Sequence, residues 1–275
     1  MTKKEEAELK RAARLEAERE RISSMKSFER QVLSEHNAGK NGSSGFLICG
    51  IDEAGRGPFA GPVVAGAVIL DTEDPEKEIL YLNDSKKLSE KKREMLYEEI
   101  MQKAVAVGIG YSGAGTIDRI NILQATYAAM RQAAANLTDV SFLYSADASV
   151  HELVSRLVRY ELPQSTSKSS GSSQITEEHA AHLHIVPDYI LADAVHIPGI
   201  DIPQMGIVKG DAKSVSIAAG SIIAKVTRDH IMYEYDRIYP GYGFASHKGY
   251  GTSAHIAAIK EHGMTDIHRR SFIHF

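Results

Sequence analysis

Four acidic residues stand where a folded chain tolerates them least. Asp52 and Glu53 close the apolar run from Phe46 to Ile51, Asp193 closes the run from Tyr189 to Ala192, and Asp211 follows Lys209-Gly210 just before a long helical segment. Burying a carboxylate is costly unless a cation compensates it. Three separate segments therefore deliver acids to strand ends or to a helix entry, the edges where sites form in sheet domains. A single strand-end Asp is ordinarily a turn or cap, and Asp211 alone would suit the positive end of a helix. The adjacent pair Asp52-Glu53 resists that explanation. Neighbouring strand residues point to opposite faces, so both serve one cluster only if the strand ends or twists, which Ala54-Gly55-Arg56-Gly57 permits. Four hard oxygen donors suit Mg2+ or Mn2+ rather than zinc, and no CxxC or HExxH spacing competes for a metal. Two such ions about 3.5–4 Å apart activate a water and stabilise the leaving oxygen in phosphodiester hydrolysis, with no protein nucleophile. No GxSxG, Walker or GxGxxG motif is read as pointing to other chemistry. The twelve histidines are scattered and read as solvated or satisfied side chains.

The elements that must position these acids follow from pattern. Phe46 to Ile51 and Pro62 to Leu70 read as strands, and the short Gly/Pro segment between them suggests a hairpin. Ser89 is a candidate N-cap for a helix to about Ala104. Val105 to Tyr111 reads as a strand and Ile117 to Leu137 as a helix with Ile122, Met130 and Leu137 turned inward. Further strands are expected at Val140 to Asp147, Tyr189 to Asp193 and Gln204 to Val208. Ser214 to about Tyr235 reads as a long helix whose small residues allow close packing on a sheet, and Ser253 to Glu261 as another helix. Hairpin strands, then alternating strands and helices, then helices alone, predict an α/β fold with a mixed sheet and a helical C-terminal region. Residues 1–45 read as a charged helical extension, either solvated and loosely attached or a substrate-gripping appendage, with a flexible linker from Asn37 to Gly45; residues 46–275 read as the main domain. The Ser-rich stretch Gln164 to Glu178 reads as a mobile insertion.

Composition sets wider bounds. With 43% hydrophobic and 25% charged residues the chain is of ordinary globular type. No apolar run reaches the length of a membrane span, and the charged start lacks the apolar stretch of a secretory signal, so a cytoplasmic protein without membrane association is expected. Cys49, the lone cysteine, reads as a small buried hydrophobe. A net charge of -4 argues weakly against a nucleic-acid partner, but from Lys209 onward nine Lys or Arg face six Asp or Glu, a local +3.

From Gly50-Ile51-Asp52-Glu53-Ala54-Gly55-Arg56-Gly57-Pro58 the sequence resembles the ribonuclease HII family. The resemblance runs on through Asn83-Asp84-Ser85-Lys86-Lys87-Leu88-Ser89, Asp188 to Asp193, and Lys209-Gly210-Asp211-Ala212-Lys213-Ser214. It continues through Ala224 to Asp229, His247-Lys248-Gly249-Tyr250-Gly251-Thr252 and His268-Arg269-Arg270-Ser271-Phe272. It implies a ribonuclease H-like fold and an endonuclease that cuts the RNA strand of RNA-DNA hybrids, and 5′ of ribonucleotides embedded in duplex DNA. Products would carry 3′-hydroxyl and 5′-phosphate ends. The family's metal-binding, catalytic carboxylates fall on Asp52, Glu53, Asp193 and Asp211, with Mn2+ or Mg2+ as cofactor and Asp52 as the bridging ligand. The substrate-binding loop falls on Gly55, Arg56 and Gly57, and the junction-sensing tyrosine on Tyr250. The sister family, ribonuclease HIII, has a different loop after its Asp-Glu pair. Lys86 and Lys87 are the favoured phosphate contacts; Lys213, Lys225, Arg228, Lys248, Arg269 and Arg270 are further candidates. The chain stops soon after Phe272, so no clamp-binding tail is expected. A non-catalytic binding module would lack one of the four acids, and a DNA resolvase would have no ribose for Arg56 and Tyr250 to read.

Overall fold

The computed structural model describes residues 2–36, 45–140 and 184–275. The expected linker, the Ser-rich insertion and nearly all of the strand expected from Val140 to Asp147 lie outside the described residues. Strands β1 (Ile48–Ala54), β2 (Val63–Ile69), β3 (Ala106–Ser112), β4 (Thr138–Asp139), β5 (Tyr189–Asp193) and β6 (Gln204–Ile207) form one mixed sheet in the order β4-β3-β2-β1-β5-β6. The β1–β2 hairpin is antiparallel, as its Gly/Pro connection implies, whereas β5 runs parallel to β1 with Ile51 opposite Ala192. That parallel pairing brings the carboxyl ends of β1 and β5 together, and with them Asp52 and Asp193.

Helices cover both faces. Helix α1 spans Lys3–Met25, α2 Ser27–His36, α3 Glu90–Lys103, α4 Ala114–Ala135 and α5 Val215–Ile238. The C-terminal region adds α6 (Phe244–His247) and α7 (Ser253–His262). Apolar alternation along β2 divides the core: Ala65, Ala67 and Ile69 face α4, while Val68 faces α3 and α5. The α5 face is unusually close. A Cβ on Gly50 would lie 2.0 Å from the carbonyl carbon of Ser216, and one on Gly66 would lie 2.4 Å from the Gly220 oxygen. The small residues at the start of α5 thus serve the close packing their composition predicts, and 52 shares the face of 50 by strand alternation. Contrary to the expectation of no such motif, Gly108-Ile109-Gly110-Tyr111-Ser112-Gly113 does have the spacing of a dinucleotide loop, yet Cβ atoms at 108 and 110 would strike the α4 backbone. Those glycines are packing residues.

Two expectations need correction. The N-terminal segment is not a loosely attached helix. It breaks into α1 and α2, whose Ile22, Met25 and Val32 are buried against the main core. Sparse apolar positions concealed this, because only three are needed where the helices touch. Helix α4 is also broken, at Asn121, where φ is 66° and the side-chain Oδ1 accepts from the Leu123 and Gln124 amides to start the helix afresh. Met130 and Leu137 are buried as expected, and Ile122 is half-buried. No described helix is long and apolar enough to cross a membrane.

Candidate active site

Asp52, Asp193 and Asp211 each offer a carboxylate oxygen to one point, all within 4.8 Å of one another. Three different elements supply them: β1, β5 and the 3-10 turn Gly210–Ala212. Asp52 is 4% exposed, and its Oδ1 accepts from the Glu53 amide at 2.7 Å. Asp193 is fixed by the Gly210 amide, which donates to its Oδ1 at 2.7 Å. Asp211 is buried in the turn that leads into α5.

The carboxylates repel one another. Burial, then the charge of Glu53, pushes the Asp52 carboxyl well above the usual range; a Ser221 hydrogen bond opposes the rise and Asp193 adds to it. Asp211 is raised by burial and by Asp84 and Asp193, against the pull of Lys86. Repelling buried carboxylates of this kind need a cation. One ammonium already faces them. Partial burial lowers Lys86, but the charges of Asp52, Asp84, Asp211 and Glu53 outweigh it and hold the lysine above its ordinary range. The all-oxygen donor set fits a hard divalent ion.

Glu53 stands apart from the trio. Strand alternation turns it from Asp52, and its Oε1 meets Arg56 Nη1 at 3.5 Å. It remains near enough to feel the trio: burial raises its carboxyl, Arg56 opposes this, and Asp193 raises it further. Asp84 and Ser221 are functional candidates that sequence reasoning missed. Asp84 caps the turn Ser85–Lys87 by accepting from the Lys86 amide at 3.0 Å, and it hydrogen-bonds Asp211. Ser221 Oγ lies 2.9 Å from Ser85 Oγ and hydrogen-bonds Asp52, so it ties the lysine turn to the strand. The cap chemistry of Asn83-Asp84-Ser85 was a visible signal for the first; the second is indistinguishable by sequence from the packing residues around it.

Beside the acids runs the loop Gly55-Arg56-Gly57. Gly55 has φ +97°, and a Cβ there would sit 2.0 Å from Arg228 Nε, so only glycine fits. Arg269, fully buried, donates to the carbonyls of Gly55 at 2.6 Å, Arg56 at 2.9 Å and Gly61 at 2.9 Å. Arg228, also buried, donates to Pro62 and Ala60. Both arginines are therefore struts for this loop and not phosphate contacts. Lys225 is similarly engaged, 2.7 Å from Asp229. Lys248 lies over the Tyr233 ring, 4.1 Å from its centroid. Lys86, Lys87, Lys213 and Arg270 remain exposed.

Tyr250 is 48% exposed, and its ring borders Gly57: a Cβ on that glycine would be 3.8 Å from Tyr250 Cε1. Behind it lies a chain of histidines with defined tautomers. The Thr265 amide donates to His268 Nδ1 at 2.8 Å, so His268 Nε2 carries the hydrogen and donates to His255 Nε2 at 3.1 Å. His255 Nδ1 then donates to the Tyr250 carbonyl at 3.0 Å. Burial and His255 pull His268 down to about 4, and burial lowers His255 as well. These are satisfied, neutral histidines, as their scatter in sequence suggests.

Comparison with known proteins identifies the family. A family model described as Ribonuclease HII matches residues 49–144 and 149–275. Ribonuclease HII of Lachnoclostridium phytofermentans is 51% identical over 226 residues, 82% of this chain and 70% of that protein. The Bacillus subtilis enzyme of the same name is 44% identical over 265 residues, 96% of this chain and 81% of its own. Among solved structures, ribonuclease H2 from Pyrococcus horikoshii superposes with a TM-score of 0.51 at 22% identity, covering 82% of this chain and 93% of its own, a likeness of fold. A family model matching most of the chain, with relatives 44% and 51% identical over most of it, makes the chain a member of the ribonuclease HII family, hydrolases of the endoribonuclease class.

Proposed function

We propose that this enzyme hydrolyses the phosphodiester on the 5′ side of a ribonucleotide, in the RNA strand of an RNA-DNA hybrid or at a single ribonucleotide within duplex DNA. The products would be 3′-hydroxyl and 5′-phosphate ends. The observation that carries this reading is the convergence of Asp52, Asp193 and Asp211 within 4.8 Å beside the Gly55-Arg56-Gly57 loop. Residues 46–275 are read as the catalytic domain and residues 1–45 as an extension, whose helices α1 and α2 pack on it.

Asp52, Asp193 and Asp211 would hold Mn2+ or Mg2+, with Glu53 completing the set from the next position of the strand. Bound there, a pair of such ions supplies an activated water and stabilisation of the leaving oxygen. The protein's own residues do the rest. The Gly55 and Arg56 carbonyls are turned to Arg269, which fixes the loop before substrate arrives. Gly57 leaves room against the Tyr250 ring, where a ribose edge can be read. A 2′-hydroxyl both donates and accepts, so a site with fixed polar partners for it rejects deoxyribose. Lys86 and Lys87 present cations to the scissile strand's phosphates.

The test uses three labelled substrates with Mg2+ or Mn2+: a DNA duplex, the same duplex with one ribonucleotide, and an RNA-DNA hybrid. Cutting of the second and third, 5′ of a ribonucleotide, is expected. Cutting of the all-DNA duplex at a similar rate would support a resolvase instead, and cutting of none would support a binding module.

A further inference from the structure

Glu29 belongs to α2, far from the acids in sequence, yet it is 1% exposed and lies at the start of α5. Its Oε1 accepts from Ser214 Oγ at 2.6 Å and from the Ser216 amide at 3.1 Å. The donors are a hydroxyl and a backbone amide, both at the positive end of α5. Among the described residues its second oxygen, Oε2, has no close partner of its own, although the Ser216 hydroxyl also attracts the carboxyl, which burial raises. A buried carboxylate with one oxygen unsatisfied is expensive, and stability alone is a poor reason for it.

The bonds continue past Ser214. Its amide donates to the Gly210 carbonyl at 2.8 Å, closing the turn that holds Asp211, and the Gly210 amide donates to Asp193 Oδ1 at 2.7 Å. An unbroken path thus runs from Glu29 through Ser214 and Gly210 to Asp193, with Asp211 inside the turn it braces. Lys209 enters that turn at φ 57°, a left-handed conformation that a non-glycine residue keeps only when its surroundings hold it.

We propose that Glu29 is a positioning residue of the metal site, by which the N-terminal extension sets the turn carrying Asp211 and the orientation of Asp193. The inference rests on the reading of Asp193 and Asp211 as metal ligands. Loss of a group that orients ligands typically weakens a metal by about 10- to 100-fold; Glu29 acts through a further residue, so about tenfold is expected.

The experiment measures Mn2+ binding to the substrate-free, full-length protein by the electron paramagnetic resonance of the free ion. It compares the parent with Glu29→Ala, Glu29→Gln, Ser214→Ala and Asp211→Asn, with thermal melts of the same samples. Glu29→Ala and Ser214→Ala should bind Mn2+ about tenfold more weakly, while Glu29→Gln, whose amide oxygen accepts both hydrogen bonds, stays within about twofold of the parent. Parent-like Mn2+ affinity in Glu29→Ala and Ser214→Ala, with only a lower melting temperature, would overturn the inference and leave Glu29 a packing residue. If Glu29→Ala does not fold, Ser214→Ala decides by the same criterion, since it leaves Glu29 on the Ser216 amide. Asp211→Asn separates the premise. Parent-like Mn2+ binding there sinks the ligand reading and the inference together, whereas its loss there alone sinks only the inference.

Discussion

Asp52→Asn should make the metal-free protein more stable while abolishing its activity. The carboxylate oxygens of the trio lie within 4.8 Å of one another. At an effective dielectric near 20, each pair of full charges at that distance repels by about 3.5 kcal/mol. Lys86 and proton uptake relieve most of this, so a net gain of about 1–3 kcal/mol is expected from removing the Asp52 charge. For a chain of this size that is a rise of roughly 3–10 °C in Tm. The sign with pH follows from the raised carboxyls of Asp52 and Asp211. A group raised in the fold contributes its stability below the ordinary carboxylate range and loses it as pH rises through the raised value. The advantage of the variant should therefore be large at pH 8 and vanish toward pH 4. Mn2+ at a hundred times its Kd adds about 2.7 kcal/mol to the parent and little to the variant, which cancels or reverses the variant's advantage. The assay is a melting series from pH 4 to 8, with chelator and with Mn2+. A variant less stable than the parent at pH 8 without metal, or an offset independent of pH, would refute the argument.

Three further outcomes follow from the same structure. Tyr250→Ala should lower kcat/KM most on a single embedded ribonucleotide, with Tyr250→Phe intermediate; equal losses on that substrate and on a long hybrid would reduce Tyr250 to general positioning. His268, held to about 4 in the fold, contributes stability above the free imidazole range that is lost as pH falls toward 4, about 3 kcal/mol in all. His268→Gln should flatten that acid limb in a pH-dependent melt, and an unchanged limb would contradict the neutral histidine chain. Deleting residues 1–36 exposes the contacts of Ile22, Met25 and Val32, worth about 5–9 kcal/mol together. Circular dichroism should show a much lower Tm or no fold, and a parent-like melt would make the extension a solvated appendage after all.

The acids were legible because each breaks a local rule. Asp52 and Asp193 end strands otherwise fit for burial, and Asp211 opens a helix beside them. The small residues of α5 likewise announced its close approach to Gly50 and Gly66. What stayed hidden depended on long-range pairing. Arg228 and Arg269 look like surface cations until the fold buries them against loop carbonyls. Glu29 sits in a charged helix, and its partners Ser214 and Ser216 lie in a segment no local pattern connects to it. Asn121 looks like any helical residue, because its own side chain makes the break. Glu53 shows the limit of adjacency: its carboxylate pairs with Arg56 and lies outside the 4.8 Å trio, yet it stays close enough to raise Asp52 and to be raised by Asp193.

The central claim is that the carboxylate trio performs the cutting while the glycine-arginine loop and Tyr250 recognise the ribose. Asp211→Asn tests it most directly, with single-turnover cleavage and fluorescence anisotropy measured on one duplex carrying a single ribonucleotide. The account predicts that cleavage disappears while affinity for the duplex stays near that of the parent. Turnover close to the parent's, or a loss of binding as large as the loss of cleavage, would contradict it.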